Sequence, residues 1–209
     1  MKVSFFTGAL LLAATLHAQA EAIPTQVFNC TACHGGQGQG NALLGAPRLA
    51  GQQAEYLLDQ LRNFKAGRRG YDARDLHGAQ MRGVVASMEE RDFEPLAHYF
   101  SSLELPPGEV PATGETARGA ALYQGTCAVC HGPDASGFAH LRTPDLRLLD
   151  AAYLERQLTH YIQGLRGAEA HASELGMWMR GISLQIGTDA ERQAIVDYIS
   201  SLNAQSDGS

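Results

Sequence analysis

Leu57, Leu61 and Phe64 recur at i, i+4 and i+7, and Gly67 follows them. This spacing places three apolar side chains on one helical face, and the glycine marks the end of the helix. Leu154, Leu158 and Ile162 draw the same stripe further along, with Gly164 behind it. Phe93, Leu96, Phe100 and Leu103 predict a second helix, preceded by Ser87 and Glu90 at the spacing of a capping box. Ile195, Ile199 and Leu202 repeat that face after Thr188 and Glu191. No stretch alternates apolar and polar residues with the period of two that a half-buried strand would show. Residues 35–45 and 132–137 are glycine-rich and read as loops. The pattern predicts an all-α protein made of short helices.

The stripes belong to an internal repeat with an offset of 97 residues. Pro47 maps onto Pro144, Leu49 onto Leu146, Tyr56-Leu57 onto Tyr153-Leu154, and Gln60-Leu61 onto Gln157-Leu158. Later the offset drifts by single residues, so that Met81 meets Met179 and Tyr99 meets Tyr198. Two copies of one domain are expected, over 21–105 and 113–209. The run 106–112 (Pro106-Pro107-Gly108-Glu109-Val110-Pro111-Ala112) cannot continue a helix and reads as a semi-stiff linker. Residues 1–20 stand apart. Lys2, an apolar run from Phe5 to Leu16 and Ala18-Gln19-Ala20 have the layout of a cleaved signal peptide, too short to span a bilayer.

Composition changes this picture little: 44% of residues are hydrophobic, as in ordinary globular chains. Charge adds more. The net charge is −6, and cleavage after Ala20 removes Lys2 to leave −7. An acidic chain is a poor partner for nucleic acid. Residues 21–105 carry eight basic and ten acidic side chains, and 106–209 carry seven and twelve, an imbalance able to orient the molecule on a partner.

The candidate chemistry lies in Cys30-Thr31-Ala32-Cys33-His34 and Cys127-Ala128-Val129-Cys130-His131. Cys-x-x-Cys-His is the attachment motif of c-type haem. Two thiols add across two vinyl groups, and the adjacent imidazole reaches the iron. A single Cys-x-x-Cys pair would also suit half a zinc site or a redox dithiol. A four-cysteine zinc site, however, would leave both histidines without a role. The two motifs use all four cysteines, so two covalent haems are expected. Attachment of c-type haem is completed outside the cytoplasm, which agrees with export.

The sixth iron ligand separates a carrier from a catalyst, because an open iron binds small molecules. Candidates are Met81, Met88 and His77 in the first copy and Met177, Met179 and His171 in the second. Met81-Arg82-Gly83 and Met179-Arg180-Gly181 are the same tripeptide, expected in a loop before each capping box. The repeat therefore selects Met81 and Met179. Met88 reads as a core residue. Trp178 is expected to pack against the second haem or its loop, and Arg82 and Arg180 either meet a haem propionate or face solvent.

Over residues 21–203 the chain resembles the dihaem cytochrome c4 family. The resemblance rests on the two haem motifs, on Pro47-Arg48-Leu49-Ala50-Gly51-Gln52, on Tyr56-Leu57 with Gln60-Leu61, on Phe64-Lys65-x-Gly67 and on Met81. The second copy keeps Pro144, Leu146, Tyr153, Leu154, Gln157, Leu158 and Met179. The resemblance implies two tandem class I cytochrome c domains related by pseudo-twofold symmetry, with propionates near their interface. It implies His34/Met81 and His131/Met179 ligation, with the Pro47 and Pro144 carbonyls accepting from the histidines. It also implies electron transfer in the periplasm. The second copy departs from the family at Asp145 and at Leu148-Leu149, so its interface contacts should differ. Gly119 and Tyr123 fit a packed first helix in the second copy; Ala22 and Gln26 predict a shorter one in the first.

The expected function is a non-enzymatic periplasmic carrier, monomeric and at most loosely attached to the membrane. It would pass electrons from an upstream donor towards a terminal oxidase. The alternatives are an electron-accepting subunit of a dehydrogenase or sulfur-compound oxidoreductase, and a catalyst or gas sensor with an open haem.

Overall fold

The computed structural model describes residues 23–105 and 116–203. The expected signal peptide (1–20) and linker (106–112) lie outside them. The described residues form no strand; one isolated bridge pairs Asn41 with Ala46. The first half contains α1 (Val27–His34), α2 (Ala54–Lys65), α3 (Leu76–Ala86) and α4 (Phe93–Ser101). The second contains α5 (Thr116–Leu122), α6 (Ala128–His131), α7 (Ala151–Ile162), α8 (Glu174–Ser183) and α9 (Asp189–Asn203). A single π turn, Tyr123–Cys127, joins α5 to α6 in one helical run. Its counterpart α1 begins only at Val27, as the missing glycine and aromatic predicted.

Each half closes over its own core. Val27, Leu57, Phe64, Val85, Phe93, Leu96 and Phe100 are buried together in the first. Tyr123, Tyr153, Leu154, Ile195, Val196 and Ile199 are buried together in the second. Full burial of one such side chain stabilises by about 1.5–3 kcal/mol. The apolar stripes expected on α2, α4, α7 and α9 are the faces that meet there. The glycines behind α2 and α7 have the left-handed backbone they were expected to supply, φ +68° at Gly67 and +72° at Gly164. Gly119 has a different role. A Cβ there would collide with the Ala194 carbonyl, so only glycine lets α5 approach α9 this closely. Beside it Tyr123, fully buried, donates its hydroxyl to the Gly132 carbonyl at 2.7 Å.

Two local expectations need correction. The first cap is not Ser87 with Glu90. Ser87 still has helical φ/ψ, and its hydroxyl donates back to Val84 at 3.1 Å. The Glu90 carboxylate is drawn instead to Arg62, 2.6 Å away. The capping box is Glu89 with Asp92, ahead of a 3-10 turn (Glu90–Asp92). The Thr188–Glu191 box forms as expected, with reciprocal bonds of 3.2 and 3.1 Å. The second correction concerns Met-Arg-Gly, which is helical in both copies rather than a loop. Asp75 caps α3 by accepting from Gly78 N, and Ser173 caps α8 by accepting from Gly176 N. Met81 and Met179 therefore lie within helices.

The halves meet through polar contacts. Gln52 and Asp145 form a reciprocal clasp: the glutamine amide donates to the Asp145 carbonyl at 2.9 Å and accepts from its N–H at 2.8 Å. Gln53 donates to the Ser136 carbonyl at 2.7 Å. Tyr71 donates to the Gly164 carbonyl at 2.9 Å and stacks on His171 with ring centroids 4.5 Å apart. His160 stands 3.5 Å from Asp75, both buried. Both bonds of the clasp use the main chain of Asp145, so the departure at this position leaves that contact intact.

Candidate functional site

Each half contains a cavity with its Cys-x-x-Cys-His motif in the wall. Helix α1 ends at His34, which brings Cys30, Cys33 and His34 to one side of a cavity of about 840 Å³. Met81 and His77, four residues apart on α3, line it too, as does the buried Met88. The second cavity is narrower, about 190 Å³, and is lined by Cys127, Cys130, His131, Met179 and Trp178. Met177 is exposed and lines neither cavity, and His171 is turned onto Tyr71. The structure therefore gathers Cys30, Cys33, His34 and Met81 around one space, and Cys127, Cys130, His131 and Met179 around the other.

The four cysteines are unbridged. Burial pushes the Cys30 and Cys127 thiols up to about 11, so neither is a standing thiolate. Burial also lowers the proton affinity of both histidines, His131 to about 4. Neutral imidazoles are the form that binds a metal. His34 Nδ1 is 2.7 Å from the Pro47 carbonyl oxygen. A carbonyl only accepts, so Nδ1 holds the proton and Nε2 keeps the free lone pair. His131 differs. The Pro144 carbonyl opposes the effect of burial, yet Nδ1 makes no hydrogen bond of standard geometry. The chain after Pro144 winds into a 3-10 turn (Leu146–Leu148) that the first copy lacks.

Arg82 and Arg180 line neither cavity. Their guanidiniums lie about 3.7 and 3.6 Å from where a Cβ on Gly67 and Gly164 would stand. The arginines that face inward are Arg69 and Arg166, another pair at the 97-residue offset, which motif reasoning passed over. Their mark in the sequence is positional alone: each lies two residues after the glycine that ends α2 or α7.

The donor set suits haem: paired thiols with an adjacent imidazole, a thioether on another helix, and apolar walls. The cytochrome c family profile matches residues 20–104 and again 116–203. The chain is 34% identical over 196 residues to cytochrome c4 of Stutzerimonas stutzeri, covering 88% of this chain and 89% of that one. It belongs to the dihaem cytochrome c4 family. Members carry haem c attached covalently, and this chain has a motif for each of two. The crystal structure of reduced recombinant cytochrome c4 from Pseudomonas stutzeri superposes with a TM-score of 0.66 at 32% identity, over 83% of this chain and 93% of that one. A "thiosulfate dehydrogenase electron acceptor" of Thiomonas intermedia (strain K12) is also 34% identical, over 92% of this chain and 86% of its own length. As a family member the chain is a dihaem electron carrier that serves redox partners. No helix among the described residues is long and apolar enough to cross a membrane.

Proposed function

We propose that the chain is an exported carrier that moves electrons through the periplasm from an upstream donor towards a terminal oxidase and transforms no substrate of its own. Cys30 and Cys33 would hold one haem by thioethers, and Cys127 and Cys130 the other. His34 with Met81 would hold one iron, and His131 with Met179 the other. The haems supply one-electron iron couples. The protein's part is to hold both ligands on short helices, fix the His34 tautomer through Pro47, and keep water from the apolar walls. The observation that carries this reading is that each motif shares its cavity with the methionine selected by the repeat. Two irons closed by protein ligands leave no position for oxygen or peroxide. The reduced protein should therefore bind carbon monoxide slowly or not at all near neutral pH. Rapid binding at either iron would turn the assignment towards a catalyst or sensor.

The layout of the first twenty residues supports export, with a mature chain beginning at Glu21 in two domains, 21–105 and 113–209, joined by 106–112. The amino-terminal sequence of protein recovered from the periplasm tests this.

A second reading is supported by the Thiomonas intermedia relative, whose name makes it the electron acceptor of a thiosulfate dehydrogenase. This chain would then take electrons from such an enzyme. Mixed with a purified thiosulfate dehydrogenase and thiosulfate, it should be reduced rapidly, while thiosulfate alone leaves it oxidised. Slow reduction in the mixture, with fast oxidation by membranes, favours the first reading.

A further inference from the structure

Arg69 and Arg166 are buried where the two halves meet, 8% and 7% exposed. Each donates to both glutamines of the repeat. Arg69 reaches Gln60 at 2.9 Å and Gln157 at 3.2 Å; Arg166 reaches Gln157 at 2.6 Å and Gln60 at 2.8 Å. Arg69 also donates to the Tyr153 hydroxyl at 2.9 Å, and Arg166 bonds to that of Tyr56. The guanidiniums lie over the Phe64 and Tyr161 rings, 4.5 and 4.6 Å from the centroids. All these partners are neutral.

Neither arginine has an ion pair among the described residues. The carboxylates nearby have other partners: Asp59 pairs with Arg142, Asp75 accepts from Gly78 N, and Asp145 pairs with Arg147. Arg69 Nε is buried with no acceptor. Two buried cations sharing the same two amide oxygens repel each other, and a buried charge without a counter-ion is costly. The pocket is short of anions. Both cavities reach this point: Arg69, Gln60 and Gln157 line each of them, and Arg166 lines the second. Haem's only anionic side groups are its propionates.

We propose that Arg69 is a positioning residue shared by both haems, its guanidinium holding a propionate of each, and that Arg166 completes the clamp on the second. A cation held beside both groups favours the reduced state of both irons, because it offsets the negative charge that reduction adds. Opposite charge at fork geometry also sets the orientation of the two groups relative to each other.

The inference rests on a haem occupying each cavity, and the mass and absorption spectrum of each sample check this separately. The test is spectroelectrochemical titration of the dihaem protein. In Arg69→Gln both potentials should fall. In Arg166→Gln the second should fall more than the first. In Arg69→Lys, which keeps the charge, both should stay near those of the unaltered protein. An Arg69→Gln protein with two haems and unchanged potentials, or with only one potential moved, overturns the proposal. If that variant does not accumulate, the unaltered protein still decides. With the propionate carboxyl carbons isotopically labelled, infrared difference spectra should show labelled bands shifting at both reduction steps. Labelled bands that stay fixed at either step overturn it.

Discussion

Met81 and Met179 are distinguished from their neighbours by where their sulfur atoms can go. Substituting either by alanine should remove the sulfur-to-iron absorption band of one haem and lower its potential, leaving the other haem intact. Met177→Leu should change neither spectrum, because Met177 is exposed and lines neither cavity. Met88→Leu should keep both bands and cost less than about 1.5 kcal/mol in thermal unfolding, since the swap conserves apolar volume in the first core. Cys30, Cys33, His34, Cys127, Cys130 and His131 stand out in the sequence because haem attachment fixes residue type and spacing, and the fold brings each set into the wall of one cavity. Arg69 and Arg166 could not be read in the same way. An arginine after a helix-ending glycine looks like any solvated cation, and only the fold shows that both are walled in by aromatic rings from α2 and α7.

At the scale of elements, α2, α4, α7 and α9 were legible because their apolar stripes are the faces buried in the cores. Helices α3 and α8 were not: α3 has only a weak apolar stripe, and a glycine stands inside the Met-Arg-Gly tripeptide of each. Their capping residues, Asp75 and Ser173, were the available signal. Helix contacts make sharp predictions. Gly119→Ala should force α5 away from α9 and lower the thermal midpoint of the second domain, at an overpacking cost of about 1–3 kcal/mol. His160, on α7, faces Asp75 and is also near Arg156, Arg166 and Arg69. Burial is the largest effect and lowers its pKa from 6.5, so the folded protein prefers the neutral ring. The unfolded chain takes up that proton first. This contribution to stability should be complete above pH 6.5 and decline as pH falls below it. Asn63 occupies the equivalent place in the first copy. His160→Asn should accordingly flatten the acid limb of a stability-versus-pH curve measured by denaturant titration.

For the molecule as a whole, the dominant field is negative. A net charge of −6, with −5 of it in residues 106–209, should attract a partner with a basic docking face. Stopped-flow electron exchange with such a partner should slow steadily as ionic strength rises, because screening shortens the reach of that field. A rate independent of salt would point to an apolar docking surface. The repeat made the two-domain plan legible, but the way the domains join was hidden, because it depends on positions where the copies diverged.

Gln52 against Leu149 and Arg48 against Asp145 are the clearest of these divergences. At the position where twofold symmetry would place a second glutamine the chain has Leu149, and Asp145 itself replaces the counterpart of Arg48. The Asp145 carboxylate is close enough to Arg48 to help hold its charge. Had both copies kept arginine there, two cations would face each other across the joint. The substitution makes the joint directional: a first half fits a second half, and two first halves from different molecules would meet with like charges. Duplicated domains can trade partners with those of a neighbouring molecule. A single reversed charge at Asp145 makes pairing within one chain the favoured outcome.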